Sequence, residues 1–271
     1  MRRHDDATIT LRRCHPTLRP SSTAPSRRSV VAAFLLALLL AACGSGTSSS
    51  SASRAPTPTP TVKPPVTYVA LGASDAVGVG ADDPNTQGYV PRIIARLPKG
   101  SAALNLGING ATLHEALTQE LPDAVNAQPT IITVWLVGND FRDCTPLTQY
   151  AADLDALLTQ LHQRTHAQIF AANTPQMGAL PYFQQGAPGG GACFAGASPR
   201  QVNDLAARWN QAINPIITRD GAVLVDLYSS DLASHPDYVS QDGFHPSSAG
   251  YARLADLFWA QITAHHAVPA G

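Results

Sequence analysis

The sequence has few of the features that mark nucleic-acid, metal or membrane-spanning proteins. Its 271 residues include 18 Lys or Arg against 19 Asp or Glu, and they form no basic stripe, which argues against a nucleic-acid partner. The four cysteines and nine histidines form no cluster with metal-ligand spacing, and we interpret the terminal His265-His266 pair as solvated. No apolar run reaches the roughly 20 residues that a membrane-spanning helix needs. The sequence therefore predicts no metal and no membrane span.

The first 42 residues have the composition of an export signal. Residues 2–28 contain seven arginines and two acidic residues, and the apolar run Val30–Ala42 follows. A basic region before a short apolar run with small residues at its end is typical of a signal peptide. The Arg27-Arg28 pair leaves both the general and the twin-arginine export routes open.

The apolar run ends in Leu40-Ala41-Ala42-Cys43-Gly44, which resembles a bacterial lipobox. This resemblance predicts cleavage before Cys43 and lipidation of that cysteine, whereas the alternative is an ordinary signal peptide with a chance cysteine. We expect an exported protein at the outer face of the cytoplasmic membrane, attached only through its lipid, or a secreted one. Residues 43–66 then form a linker, since ten of the residues in Gly44–Val66 are Ser or Thr and five are Pro.

Residues 67–271 are expected to form one domain. Removing the leader leaves 11 basic and 17 acidic residues in a chain of 229, long enough for a sizeable core, and we expect a monomer. Short apolar runs alternate with longer segments of helical periodicity. The predicted strands are Tyr68–Leu71, Ala102–Leu106, Ile131–Val137, Gln168–Ala172 and Ala222–Leu227. The predicted helices are Tyr89–Leu97, Thr112–Leu121, Leu147–His166, Pro199–Ile217 and Ser247–His265.

This alternation predicts an α/β fold, a flavodoxin-like three-layer α/β/α arrangement around a five-stranded parallel sheet. The segment Asn173–Ser198 has no clear periodicity and is predicted as a long loop, which suggests a functional or disordered segment. Ligands of such sheets bind at the carboxyl ends of the strands.

Four short motifs fall at or after the predicted strand ends. They are Gly72-Ala73-Ser74-Asp75, Gly107-Ile108-Asn109-Gly110, Gly138-Asn139-Asp140 and Asp242-Gly243-Phe244-His245-Pro246. Each alone is a common turn pattern. Together they provide a hydroxyl nucleophile, an imidazole base matched to neutral pH and a carboxylate that can orient the base. The glycine amides and the Asn139 side chain could donate hydrogen bonds to an oxyanion, although Asn139 could also simply close a turn.

In the order and context of these motifs, the sequence resembles the SGNH hydrolases, or GDSL-like lipases and esterases, over Tyr68–His265. The resemblance implies a catalytic triad of Ser74, His245 and Asp242. It also implies an oxyanion hole formed by the amides of Ser74 and Gly110 and the side chain of Asn139. Most members have Gly-Asp-Ser-Leu at the nucleophile, whereas this chain has an alanine at position 73. That departure blurs the assignment to a subfamily.

The resemblance implies a two-step acyl transfer that requires no cofactor. The expected substrates are acyl lipids or small acyl esters, with O-acetylated glycans as the alternative. A solute-binding lipoprotein or an inactive homologue is a third hypothesis, although no catalytic residue is missing. Two cysteines remain in the exported domain, and a disulfide between Cys144 and Cys193 is expected, with two buried thiols as the alternative.

Overall fold

The structure, a computed structural model, describes residues 65–268. Five strands form one parallel sheet in the order β2-β1-β3-β4-β5, which confirms the predicted fold class. The strands are β1 (Thr67–Gly72), β2 (Ala102–Asn105), β3 (Ile131–Trp135), β4 (Gln168–Ala172) and β5 (Val223–Val225). Chain order and spatial order differ at β1, where the sheet passes from β2 on one side to β3 on the other. This is the switch point at which ligands bind in open α/β sheets.

Ten helices of at least one turn occur within residues 65–268. They are α1 (Ser74–Val77), α2 (Pro84–Gln87), α3 (Tyr89–Ile94), α4 (Leu113–Gln119), α5 (Leu121–Asn126), α6 (Val137–Arg142), α7 (Leu147–Arg164), α8 (Pro181–Gln184), α9 (Pro199–Arg219) and α10 (Ser248–Ala264). Helix α3 packs against α10, while α7 packs against α4, α5 and α9. The two groups provide the outer layers of the α/β/α arrangement.

The central strands are buried as expected for a parallel sheet covered on both faces. Every residue of β3 is buried, and its single polar side chain, Thr133, forms a 2.8 Å hydrogen bond with the Tyr68 hydroxyl on β1. Strand β2 lies at the edge and is exposed along its length. Strands β1 and β3 therefore belong to the buried centre of the sheet. The Ser74 and Asn139 motifs follow the carboxyl ends of these two strands.

The structure corrects two of the predicted elements near the site. Strand β3 ends at Trp135, and Val137 already begins α6, so Gly138-Asn139-Asp140 belongs to a helix rather than to a turn. The predicted helix Thr112–Leu121 is divided into α4 and α5. The division precedes Pro122, which has no backbone N–H to continue the hydrogen-bond ladder of α4.

The segment predicted as an irregular loop, residues 173–198, contains α8 and two 3₁₀ turns at Met177–Ala179 and Ala192–Phe194. Cys144 and Cys193 form a disulfide, and the Gly191 amide donates to the Arg142 carbonyl at 2.8 Å. The end of this segment is thus attached to the residues that follow α6.

The leader of residues 1–42, Cys43 and the linker up to Pro64 lie outside the described residues, so their predicted roles stay predictions. Among residues 65–268, no helix has both the length and the apolar character needed to cross a membrane.

Candidate active site

Ser74 lies at the carboxyl end of β1, as the first residue of the single-turn helix α1. Its side chain is buried. Gly72 permits the sharp transition from strand to helix, because a Cβ at this position would lie 2.7 Å from the Ala76 Cβ. The hydroxyl is thereby held at the carboxyl end of the internal strand β1, at the switch point of the fold.

His245 connects Ser74 to Asp242. Its Nε2 lies 2.8 Å from the Ser74 Oγ, and its Nδ1 lies 2.6 Å from Asp242 Oδ2. The Ser74 and His245 side chains are separated by 171 positions in the sequence. A neutral imidazole with its proton on Nδ1 donates to Asp242 and leaves Nε2 free to accept the hydroxyl proton.

Asp242 is held by the turn in which it lies. Its Oδ1 accepts hydrogen bonds from the Ser240 hydroxyl and from the amides of Phe244 and His245, at 2.8, 2.8 and 2.9 Å. Burial acts to raise the pKa of Asp242, but these hydrogen bonds and that from the His245 ring outweigh it and lower the pKa below its ordinary value. The carboxylate therefore stays ionised near neutral pH.

The turn that carries the Asp242-His245 pair is attached to the region after Ser74. The Tyr251 hydroxyl of α10 donates to the Val79 carbonyl at 2.6 Å, and the Ser248 hydroxyl contacts the Asp82 carboxylate at 2.8 Å. The segment from residue 226 to Asp242 separates this turn from β5, so the sequence prediction placed it too close to the strand end.

Two backbone amides of the predicted oxyanion hole lack a hydrogen-bond partner among the described residues. Within residues 65–268, neither the Ser74 amide nor the Gly110 amide donates a hydrogen bond to another residue. Gly110 has φ +79°, while a Cβ there would meet no atom within 4 Å. The left-handed backbone, rather than lack of space, therefore favours glycine.

Asn139 and Asp140 of α6 form hydrogen bonds with the backbone that follows Gly110. The Asn139 Nδ2 donates to the Ala111 carbonyl at 2.9 Å, and Asp140 Oδ2 accepts from the Leu113 amide at 2.8 Å. Burial raises the pKa of Asp140 to about 6. Since the Asn139 amide group has two hydrogens, one remains for another acceptor.

A small cavity of about 30 Å³ borders His245. Its wall is apolar apart from a few groups, with Trp135, Leu180 and Phe244 among the lining residues. The Asp75 carboxyl group also lines it. Burial raises the pKa of Asp75 to about 6, the charge of His245 acts to lower it, and that of Asp242 acts to raise it.

The model of the GDSL-like lipase/acylhydrolase family matches residues 70–253, which include all of these site residues. The chain belongs to the GDSL-like lipase/acylhydrolase family. It is accordingly a hydrolase of ester bonds.

Solved structures of similar fold include TesA, which is 19% identical with a TM-score of 0.56 over 73% of this chain and 98% of TesA. The acetylxylan esterase Axe2 from Geobacillus stearothermophilus is 17% identical, with a TM-score of 0.57 over 74% of this chain and 95% of that protein. An extracellular lipase from Streptomyces rimosus is 20% identical, with a TM-score of 0.53 over 72% of this chain and 99% of the lipase. At these identities the similarity establishes the fold. No curated protein sequence matches the chain.

The structure brings together the three predicted triad residues of this GDSL-like hydrolase. Ser74, His245 and Asp242 form one hydrogen-bonded series, and Asn139 of α6 bonds the carbonyl of Ala111, the residue after Gly110. The lipidation site Cys43 lies outside the described residues. Within residues 65–268, no group of three or more His, Cys, Asp or Glu side chains is arranged to hold a metal ion.

Sequence reasoning missed three buried carboxyl groups around the site of the hydrolase: Asp75, Glu120 and Asp140. Asp75 and Asp140 stand next to predicted site residues, and that adjacency was a usable signal. Glu120 follows Gln119 in a polar segment that resembles a solvated helix end, so no local pattern distinguished it.

Proposed function

We propose that this protein is a serine esterase that hydrolyses carboxylic esters through an acyl-enzyme intermediate. The observation that carries the proposal is the unbroken series from Ser74 Oγ to His245 to Asp242, with separations of 2.8 and 2.6 Å. A nucleophile within hydrogen-bond reach of a base, itself oriented by a carboxylate, is the geometry that such catalysis requires.

In the proposed reaction, Ser74 Oγ attacks the ester carbonyl carbon while His245 Nε2 takes the hydroxyl proton. The imidazolium that forms is stabilised by Asp242. Collapse of the tetrahedral intermediate breaks the bond to the alcohol, and His245 returns the proton to that leaving oxygen. Water then attacks the acyl-enzyme with His245 again as base, which releases the acid and restores Ser74.

The negative oxygen of each intermediate would be held by the amides of Ser74 and Gly110 and by the second hydrogen of the Asn139 side chain. The unpartnered state of both amides supports this assignment, because a free donor fixed before the reaction needs no reorganisation. The Asn139 bond to Ala111 also supports it, since that bond fixes the orientation of the amide group.

We propose a short acyl ester as the substrate. The cavity beside His245 has about 30 Å³, which is the space of one or a few water molecules, so it favours a small acyl group over a long chain. Hydrolysis of p-nitrophenyl acetate, butyrate and octanoate beside acetylated xylan and a lysophospholipid would separate small esters from glycan and lipid substrates. The largest kcat/KM on octanoate or lysophospholipid would reject the short-acyl assignment.

We also propose that the protein acts at the cell surface, anchored through a lipid on Cys43. The support is the leader, the lipobox-like sequence and the Ser-, Thr- and Pro-rich linker of residues 44–66. At about 3.1 Å per residue, an extended linker of this length would let the domain reach up to roughly 70 Å from the membrane.

Replacement of Ser74 tests the function. Ser74→Ala should abolish hydrolysis of p-nitrophenyl acetate without loss of folding, because alanine removes the attacking oxygen and little else. The measurement is initial rates beside a thermal melt, with the exposed Ser234→Ala variant as a matched control. A folded Ser74→Ala protein with near-normal activity would reject the proposed function.

A further inference from the structure

Glu120 is a fully buried carboxyl group that the reaction above does not use. It lies between α4 and α5, and its side chain reaches the carboxyl end of β1. There Oε2 accepts a hydrogen bond from the Gly72 amide at 2.9 Å. The other oxygen, Oε1, has no hydrogen-bond partner within the described residues. A buried, half-satisfied acid costs folding free energy, so its position calls for an explanation.

Gly72 connects the segment that carries Ser74 with the segment that carries Gly110. Its amide donates to Glu120, and its carbonyl accepts from the Ile108 amide at 3.1 Å. Ser74 follows Gly72 by two residues, and Gly110 follows Ile108 by two. A bond that fixes the Gly72 backbone therefore acts on the segment that carries Ser74 and on the segment that carries Gly110.

We propose that Glu120 is a positioning residue that holds the Gly72 backbone and thereby sets the distance between Ser74 and the Gly110 amide. This inference rests on the proposed role of Ser74. The geometry requires only one acceptor oxygen on Gly72, which a neutral carboxyl group supplies through its carbonyl oxygen. A neutral group avoids the cost of a buried charge without a cation beside it.

The surroundings of Glu120 support the neutral form. Burial raises the pKa of Glu120 to about 8, and the Gly72 hydrogen bond lowers it only in part. The titratable side chain that faces it from another element is Tyr89 of α3, whose own pKa is raised well above its ordinary value by burial. Tyr89 thus stays neutral. At alkaline pH, ionisation of Glu120 therefore places an uncompensated charge beside residues 72–74.

Two substitutions separate the acceptor from the charge. Glu120→Gln retains an acceptor oxygen for Gly72 and cannot ionise, while Glu120→Ala removes the acceptor. With p-nitrophenyl acetate from pH 6 to 10, corrected for spontaneous hydrolysis, wild-type kcat should fall with a midpoint near pH 8. Glu120→Gln should keep near-normal kcat at pH 7 and lose that alkaline fall. Glu120→Ala should lose about 10-fold or more in kcat at every pH with KM unchanged, since a displaced nucleophile lowers the rate rather than binding.

Val125→Ala is the matched structural control. Val125 is buried on α5, so its truncation lowers stability without touching Gly72, and the melting temperature should fall while kcat holds. The inference is overturned if folded Glu120→Ala has the wild-type kcat, or if Glu120→Gln shows the same alkaline fall as the wild type. If Ser74→Ala remains active, the proposed function fails instead; if Ser74→Ala is inactive and Glu120→Ala is normal, only the present inference fails.

Discussion

Asn139 differs from an asparagine that only closes a turn. Such a residue usually bonds its own backbone, whereas the Asn139 side chain reaches 28 positions along the chain to the Ala111 carbonyl. One hydrogen of the amide group thus supports the Gly110 loop, and the other is assigned to the oxyanion. In the proposed mechanism, stability and catalysis therefore depend on different hydrogens of the same group.

Replacement of Asn139 should affect both. Asn139→Ala should lower kcat by about 10²–10³ with little change in KM, because an oxyanion donor acts on the transition state. It should also lower the free energy of unfolding by about 1–3 kcal/mol, since the buried Ala111 carbonyl loses its donor. Asn139→Asp should be no more active, because a carboxylate repels the developing negative charge. Kinetics and urea unfolding measure the two effects.

The exposed Asn126→Ala variant serves as the control for Asn139 and should match the wild type in both measurements. A near-normal kcat for Asn139→Ala or Asn139→Asp would remove Asn139 from the oxyanion hole and leave it only the structural role.

Asp75 predicts a dependence of stability on pH. Burial raises its pKa in the folded protein from 3.8 to about 6. As the pH rises, the unfolded chain therefore loses the Asp75 proton at a lower pH than the folded protein does. Its contribution to stability is complete below pH 4 and is lost as pH rises through 6. Asp75→Asn, which stays neutral, should match the wild type near pH 4. It should gain on the order of 1–3 kcal/mol at pH 7.5 relative to wild type.

Urea unfolding at the two pH values checks this prediction, with the exposed Asp123→Asn variant as a control for removal of one charge. A gain that is equal at both pH values would mean that Asp75 does not titrate in this window.

At the scale of elements, the segment of residues 173–198 is held by aromatic packing as well as by the disulfide. Phe183 and Phe194 are buried, with ring centroids 4.9 Å apart, and both contact Phe141 of α6. Phe141 in turn contacts Trp209 of α9 at 5.3 Å. The packing fixes the middle of the segment, and the disulfide fixes its end.

Removal of the disulfide should therefore lower stability more than activity. For a closed loop of about 50 residues the chain-entropy estimate is roughly 4 kcal/mol, and measured losses are often smaller. In the double variant Cys144→Ser/Cys193→Ser, unfolding should need less urea, while kcat on p-nitrophenyl acetate should change less than about threefold because the aromatic packing persists. Wild-type protein treated with reductant should show the same changes in urea unfolding and in kcat as the double variant. A large loss of kcat with unchanged stability would assign the disulfide to the site instead.

Much of the element order followed from the sequence, and the failures have physical causes. Helices α7, α9 and α10 were predictable from their long apolar stripes. The start of α6 was not, because Leu136 before the helix and Val137 within it are buried just as the residues of β3 are, so hydropathy does not mark the transition. In residues 173–198, each buried aromatic side chain belongs to a different short turn, and no period connects them.

The candidate site was predictable where it depends on short motifs. Each of Ser74, Gly110, Asn139 and His245 lies in a short motif that contains glycine. Glu120 was not predictable, because its burial depends on a contact with Gly72 across 48 positions. Local patterns carry no information about such a contact.

At the scale of the whole molecule, the proposed lipidation of Cys43 would decide where the enzyme works. If it is lipidated, the mature protein begins at Cys43 and partitions into detergent, because more than one acyl chain gives stable anchoring. Cys43→Ser should block processing or release the domain into the medium with its esterase activity intact. N-terminal sequencing and detergent partitioning measure this, with Cys14→Ser as the control. A soluble wild-type protein with its N-terminus elsewhere would refute the lipid anchor.

The distribution of the site along the chain also determines when activity can first arise. The nucleophile lies near the start of the domain, while its base and the tyrosine that ties the final helix to Val79 lie near the end. A chain still being synthesised, or one threaded unfolded through a membrane, has a serine without a base. Hydrolysis therefore begins only after the last segment has been delivered and docked.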